Sequence, residues 1–180
     1  MADRIPDLDA WLPNATVRTQ HRRAVAATPG ALWRAAREIR LADTRTLGRL
    51  VRWRIPGTPE SRTYDQLFRA YPFTVLEEGE SHLVSGLCGR IWTLQRDYPR
   101  LDGPAAFRAW DKRGTVRVSF AHWVTTVADG RAELCTEARV EPVDRHAAMR
   151  LRALWAMIGG FERLVGAEPL RLAARRAQGG

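Results

Sequence analysis

The sequence predicts an α+β domain in which a curved antiparallel sheet of about seven strands is closed by one long C-terminal helix. Three observations predict it. A strand near the N-terminus runs straight into helix-start signals, the middle of the chain breaks into short alternating segments, and an amphipathic run follows Asp144.

Taken in order, residues 1–18 read as an irregular leader with one apolar handle, Leu8, Trp11 and Leu12, that docks on the domain. Residues 19–27 read as the first strand, which meets Thr28 and Pro29, a helix N-cap followed by proline at the first helical position. Leu32, Trp33, Ala36 and Ile39 recur at helical spacing, and Leu47, Leu50, Val51 and Trp53 form a second apolar-basic helix before Ile55, Pro56 and Gly57 stop it. Two short helices are thus expected after the first strand. Six strands then follow, at 73–77, 82–87, 90–94, 106–111, 115–127 and 131–141, the last two joined by a hairpin turn at Ala128, Asp129 and Gly130.

Alternation assigns faces to that hairpin. Val116, Val118, Phe120, His122, Val124 and Thr126 share one side with Ala132, Leu134, Thr136, Ala138 and Val140. Glu133, Glu137, Arg139 and Glu141 are left for a wetter side, where Cys135 leaves room for a partner. Asp144 caps the closing helix, whose apolar stripe is Leu151, Leu154, Trp155, Ile158, Phe161 and Val165, with Arg145, Arg152 and Arg163 opposite. Gly159 and Gly160 are expected to kink it, and Gly166 and Pro169 to end it. The domain is therefore drawn as 19–168, with 169–180 as a short basic tail helix and a disordered end.

Composition limits the function classes. With 45% hydrophobic residues and seven tryptophans the chain can build a core, which excludes the disordered class. The net charge is +9, and Lys112 is the only lysine among 29 basic residues. The arginines are dispersed, with the densest groups at Arg49, Arg52 and Arg54 and at Arg171, Arg175 and Arg176, so nucleic-acid binding is disfavoured. No apolar run is long enough to span a bilayer. The first twenty residues carry Asp3, Pro6, Asp7 and Asp9 where a secretory signal needs an apolar stretch, and Cys88 and Cys135 lack a CxxC partner. A cytoplasmic protein with reduced thiols is expected.

The order of elements resembles the START-like or SRPBCC superfamily, the helix-grip fold. HRRAVAATPGALWRAAREI at 21–39 is similar to the first strand and helix of many members, GLCGRIW at 86–92 to a glycine-spaced strand pair in uncharacterised bacterial members, and LCTEARVEP at 134–142 to their last strand. The likeness covers about residues 8–177 and includes no catalytic motif. It implies a cavity between sheet and long helix that takes a hydrophobic or amphipathic small molecule. Some members, such as polyketide cyclases and aromatases, carry out chemistry there.

The residues expected at such a site are Trp92, Trp110, Val118, Phe120, Val124, Thr136, Leu151, Trp155 and Ile158, the tryptophans serving either as flat pocket walls or as ordinary core. His122 is the candidate acid or base of a cyclase or dehydratase, and equally a hydrogen-bonded core histidine. Glu162 falls on the apolar stripe and would be its carboxylate partner unless the Gly159-Gly160 break turns it to solvent. No metal is expected, because His21, His82 and His146 lack ligand spacing, and no cofactor, because P-loop, GxGxxG and GxSxG motifs are absent. A basic module for anions or nucleic acid is the remaining alternative.

Overall fold

The computed structural model describes residues 5–93 and 97–179 and, within these, all side chains except those of residues 54, 128 and 158–165. The strands are β1 (Val17–Val25), β2 (Thr74–Glu78), β3 (His82–Gly89), β4 (Val116–Thr126) and β5 (Ala132–Pro142). The helices are α1 (Pro29–Arg37), α2 (Thr46–Arg54), α3 (Tyr64–Arg69), α4 (Pro104–Arg108) and α5 (Arg145–Gln178). The strands form one curved antiparallel sheet in the order β1-β5-β4-β3-β2, and α5 packs over its concave side.

Several starts are local. Thr28 accepts the Ala31 N–H and Asp144 accepts that of Ala147, so both expected N-caps are made. The β4-β5 hairpin turns at residues 128–130, where Asp129 (φ 65°) and Gly130 (φ 69°) adopt the left-handed conformation that Asp-Gly tolerates. Both strands are eleven residues long and pair along their whole length, from Val116↔Pro142 to Thr126↔Ala132.

The described residues hold five strands rather than seven. Residues 90–93 form a turn instead of a strand. Gly89 has φ 142°, and a Cβ there would collide with the Asp97 carbonyl, to whose oxygen the Arg90 N–H donates. Leu94, the end of that expected strand, lies outside the described residues. Residues 106–111 read as a strand in the sequence, yet Pro104 sits at the first position of α4, and the helix it starts carries Phe107 into the core. Phe107 is fully buried against Gly86 of β3, where an added Cβ would come within 2.6 Å of the ring.

A third helix, α3, also precedes β2. Its start is a capping box: Thr63 Oγ1 accepts the Gln66 N–H, and Gln66 Oε1 accepts the Thr63 N–H.

The convex face is not wet. Leu8, Trp11 and Leu12 of the leader, with α4, cover it, and Arg139 and Glu141 are 8% and 7% exposed. These charges are compensated. Glu141 accepts from Arg117 and from the Asn14 N–H, and Arg139 bridges Glu137 and Asp9.

The closing helix runs through Gly166 and Pro169 to Gln178, past its expected end. Its last turns are held from outside. The Glu168 carboxylate accepts the backbone N–H groups of Arg45, Thr46 and Leu47 at 2.6, 3.0 and 2.9 Å, serving as the N-cap that α2 lacks in its own sequence. Arg176 adds bonds to Asp43 and the Glu38 carbonyl.

Substituting Glu168→Ala strips three donors of their acceptor. The expected loss is about 1–2 kcal/mol, read as a lower urea midpoint, with amide exchange at Thr46 and Leu47 accelerating more than in β4.

Candidate functional site

Register decides which side chains share the concave face. One row across the sheet is His21, Thr136, His122 and Leu83, and the next is Ser85, Phe120, Ala138 and Thr19. Two apolar groups seal the ends of this face. Leu87, Val118, Val140 and Leu151 are buried at one end, and Leu83, Val124, Leu134 and Leu170 at the other. Between them Phe73, Val75, Phe120 and Ala138 stay only half-buried, although Phe120 sits mid-way along the central strand. A half-buried apolar band thus crosses the concave face.

His122 stands beside this band. Its ring lies 4.5 Å from that of Phe68 and 4.9 Å from that of Tyr64, and its Nδ1 is 3.5 Å from the Tyr64 hydroxyl. Burial pushes its pKa down to about 3 and raises that of the Tyr64 phenol, so the pair is neutral at pH 7. His122 Nε2 and Ser85 Oγ are buried and have no hydrogen-bond partner. A cavity of about 20 Å³ lies against His122, Tyr64, Phe68, Thr136 and Leu170, room for about one water.

A neutral imidazole and a phenol can orient a hydroxyl or carbonyl group through hydrogen bonds. Proton abstraction is another matter. A base with a pKa near 3 has little driving force at neutral pH, and Asp65, the carboxylate that faces the cavity, is already held by Arg37 at 3.0 Å and Arg69 at 2.8 Å. Cys88 and Cys135 do not supply a nucleophile either, since burial pushes both thiols up to about 12.

The sequence-predicted residues scatter around this geometry. Thr136 lies beside His122, and Phe120 packs against Phe68 and Phe73 with ring centroids 5.3 and 5.6 Å away. Val118 and Leu151 are buried at one sealed end and Val124 at the other, while Trp92 packs against the Val118 end and Trp155 is half-buried on α5. Trp110 sits instead against the convex-face cluster, its indole N–H donating to Thr115 Oγ1 at 2.9 Å. The side chains of Ile158 and Glu162 lie outside the described residues.

Tyr64, Phe68 and Ser85 are not among the expected site residues. The capping box at Thr63 and Gln66 is the available signal, because a helix beginning there puts Tyr64 and Phe68 four apart on one face.

A larger hollow of about 260 Å³ lies on the convex face between residues 5–9 and strands β1, β4 and β5. Its charges pair among themselves, Arg139 with Glu137 and Asp9 and Arg22 with Glu133, and the Gln20 amide donates to Glu137. Among the described residues no group of His, Cys, Asp and Glu could hold a metal ion, and no helix is long and apolar enough to cross a membrane.

No protein-family model and no curated protein matches the sequence. Among solved structures, the chain is similar to a hypothetical protein from Helicobacter pylori (11% identity, TM-score 0.40, covering 98% of this chain and 96% of that one). It is also similar to an aromatase/cyclase from a Streptomyces species (18% identity, TM-score 0.33, 90% and 93% covered). A third likeness is a protein from Thermus thermophilus (9% identity, TM-score 0.35, 91% and 98% covered). All are distant, and none assigns this chain a family, an activity or a ligand.

The depressed His122 pKa has a stability consequence. The unfolded chain takes up a proton at this histidine below about pH 6.5, whereas the folded protein does not until about pH 3. Its contribution is complete above the unfolded value and is lost as pH falls through that window, at up to about 1.4 kcal/mol per pH unit. His122→Gln should flatten this part of the stability profile, measured by urea unfolding from pH 7 to 4.

Proposed function

We propose that the protein binds an apolar or amphipathic small molecule along the trough between the concave face and α5, with His122, Tyr64 and Ser85 as its polar end. One observation carries this reading. A band of half-buried apolar side chains separates two sealed ends of the same face, and two buried polar atoms without hydrogen-bond partners on this face, His122 Nε2 and Ser85 Oγ, belong to adjacent rows beside it. Leaving such atoms unsatisfied costs about 1–3 kcal/mol each, which a bound hydroxyl, carbonyl or water recovers.

The space beside His122 takes about one water, so a larger ligand lies over Phe120 and Ala138 and directs its polar group toward the histidine. This is a binding site in which orientation comes from neutral hydrogen-bonding groups and affinity from apolar contact. A cyclase-type role for His122 gains no support from its low basicity.

Filling the trough tests the idea. Ala138→Phe adds a ring to the half-buried floor next to Phe120, and should weaken binding of the fluorescent probe anilinonaphthalene sulfonate by about tenfold or more. Unchanged binding by the folded variant, together with native mass spectra free of any co-purifying molecule in the wild type, would remove the proposal.

A further inference from the structure

The outward side of α5 carries a second pattern that the trough does not use. Over residues 145–157 the exposed positions are Arg145, His146, Met149, Arg150, Arg152, Ala153, Ala156 and Met157. Met149 is 61% exposed and Met157 78%. On a wheel of 100° per residue, Met149, Ala153, Ala156 and Met157 fall on one stripe, with Arg145 and Arg152 along one border, Arg150 along the other, and His146 inside the stripe between Ala153 and Met157. This stretch contains no carboxylate. Among the described residues Arg145, Arg150 and Arg152 make no ion pair.

The arrangement is not explained by the needs of the helix. Arg145 occupies the first helical position, directly after the Asp144 N-cap, where the helix dipole disfavours positive charge. Exposed methionines flanked by these arginines offer an apolar ridge together with a positive field.

We propose that this face of α5 docks on an anionic lipid surface, the methionine ridge entering the acyl boundary while the arginines engage lipid phosphates. Charge complementarity selects this occupant. A second copy of the chain would set arginine against arginine, and a nucleic-acid backbone would satisfy the arginines but give the methionines nothing to enter. The surface is independent of the trough, so either reading can fail alone.

Co-sedimentation with vesicles provides the test. Wild-type protein should bind vesicles of phosphatidylcholine containing about 30% phosphatidylglycerol and not phosphatidylcholine alone, with affinity falling roughly fivefold for each arginine removed. Met149→Ser with Met157→Ser, and separately Arg150→Glu with Arg152→Glu, should each reduce binding by about tenfold or more, with unaltered circular dichroism because all four positions are exposed. Because the native thiols are buried, Met157→Cys offers an exposed thiol for an environment-sensitive dye, and its emission should shift to the blue on the anionic vesicles. Failure of the wild type to bind, binding that ignores lipid charge, binding that survives the methionine substitutions, or a dye that reports no change would each overturn the proposal. So would a wild-type dimer in sedimentation velocity that the methionine substitutions dissociate.

Discussion

The eleven-residue ladder between β4 and β5 is the constraint on which the other features rest, because it fixes which side chains face α5. A slip of one residue would carry His122 and Thr136 to the leader side and bring Trp123 and Cys135 under the helix. The Asp129-Gly130 turn prevents that slip by closing the hairpin in one register. β1 and β3 then add at the two sides of the pair, and the rows His21-Thr136-His122-Leu83 and Thr19-Ala138-Phe120-Ser85 follow directly.

A sheet covered on both faces must satisfy its polar groups on both. On the convex side this is done mainly by charge pairing beneath the leader, through Arg117-Glu141 and through Arg139 with Glu137 and Asp9. Such pairs are costly to break and contribute little net stability, but they leave few buried charges uncompensated. On the concave side the buried polar side chains are Ser85, His122 and Thr136, and His122 Nε2 and Ser85 Oγ go without hydrogen-bond partners. Ser119 Oγ is also unpartnered, on the convex side, so an orphaned hydroxyl alone does not mark a site. What distinguishes the concave pair is its position beside side chains that the fold leaves half-buried.

The legibility of the sequence follows the range of the interactions. Thr28-Pro29, Asp129-Gly130 and Asp144 act over three residues and are readable from the chain alone, as is the sharing of one face by Phe120, His122 and Thr136. The strand expected at 106–111 is absent because Pro104 starts a helix there, while the partner that makes Phe107 helical and buried, Gly86, is about twenty residues away in sequence. Arg139 and Glu141 look solvated in the sequence because nothing local reveals that residues 8–14 lie over them. Pro169 looks like a stop because its neighbour Glu168 gains its role only through α2. Tyr64 is legible in principle, since the capping box that starts its helix is present in the sequence.

The ends of α5 bear on how a ligand would reach the trough. At the N-terminus Asp144 accepts from Ala147 in the helix and from Gly114 before β4, tying the first turn to the sheet. Near the C-terminus Glu168 holds three amides of α2, and Leu170, Ala173 and Ala174 are buried in the larger cluster. Lifting the helix as a rigid body would break both anchors and expose both sealed ends, a cost well above the few kcal/mol that local opening requires. Passage along the proposed trough, past half-buried Phe73, Val75 and Ala138, would leave both anchors intact. The same anchoring keeps the outer ridge of Met149 and Met157 at a fixed orientation to the sheet, so the two faces of one helix can serve separate purposes without exchanging positions.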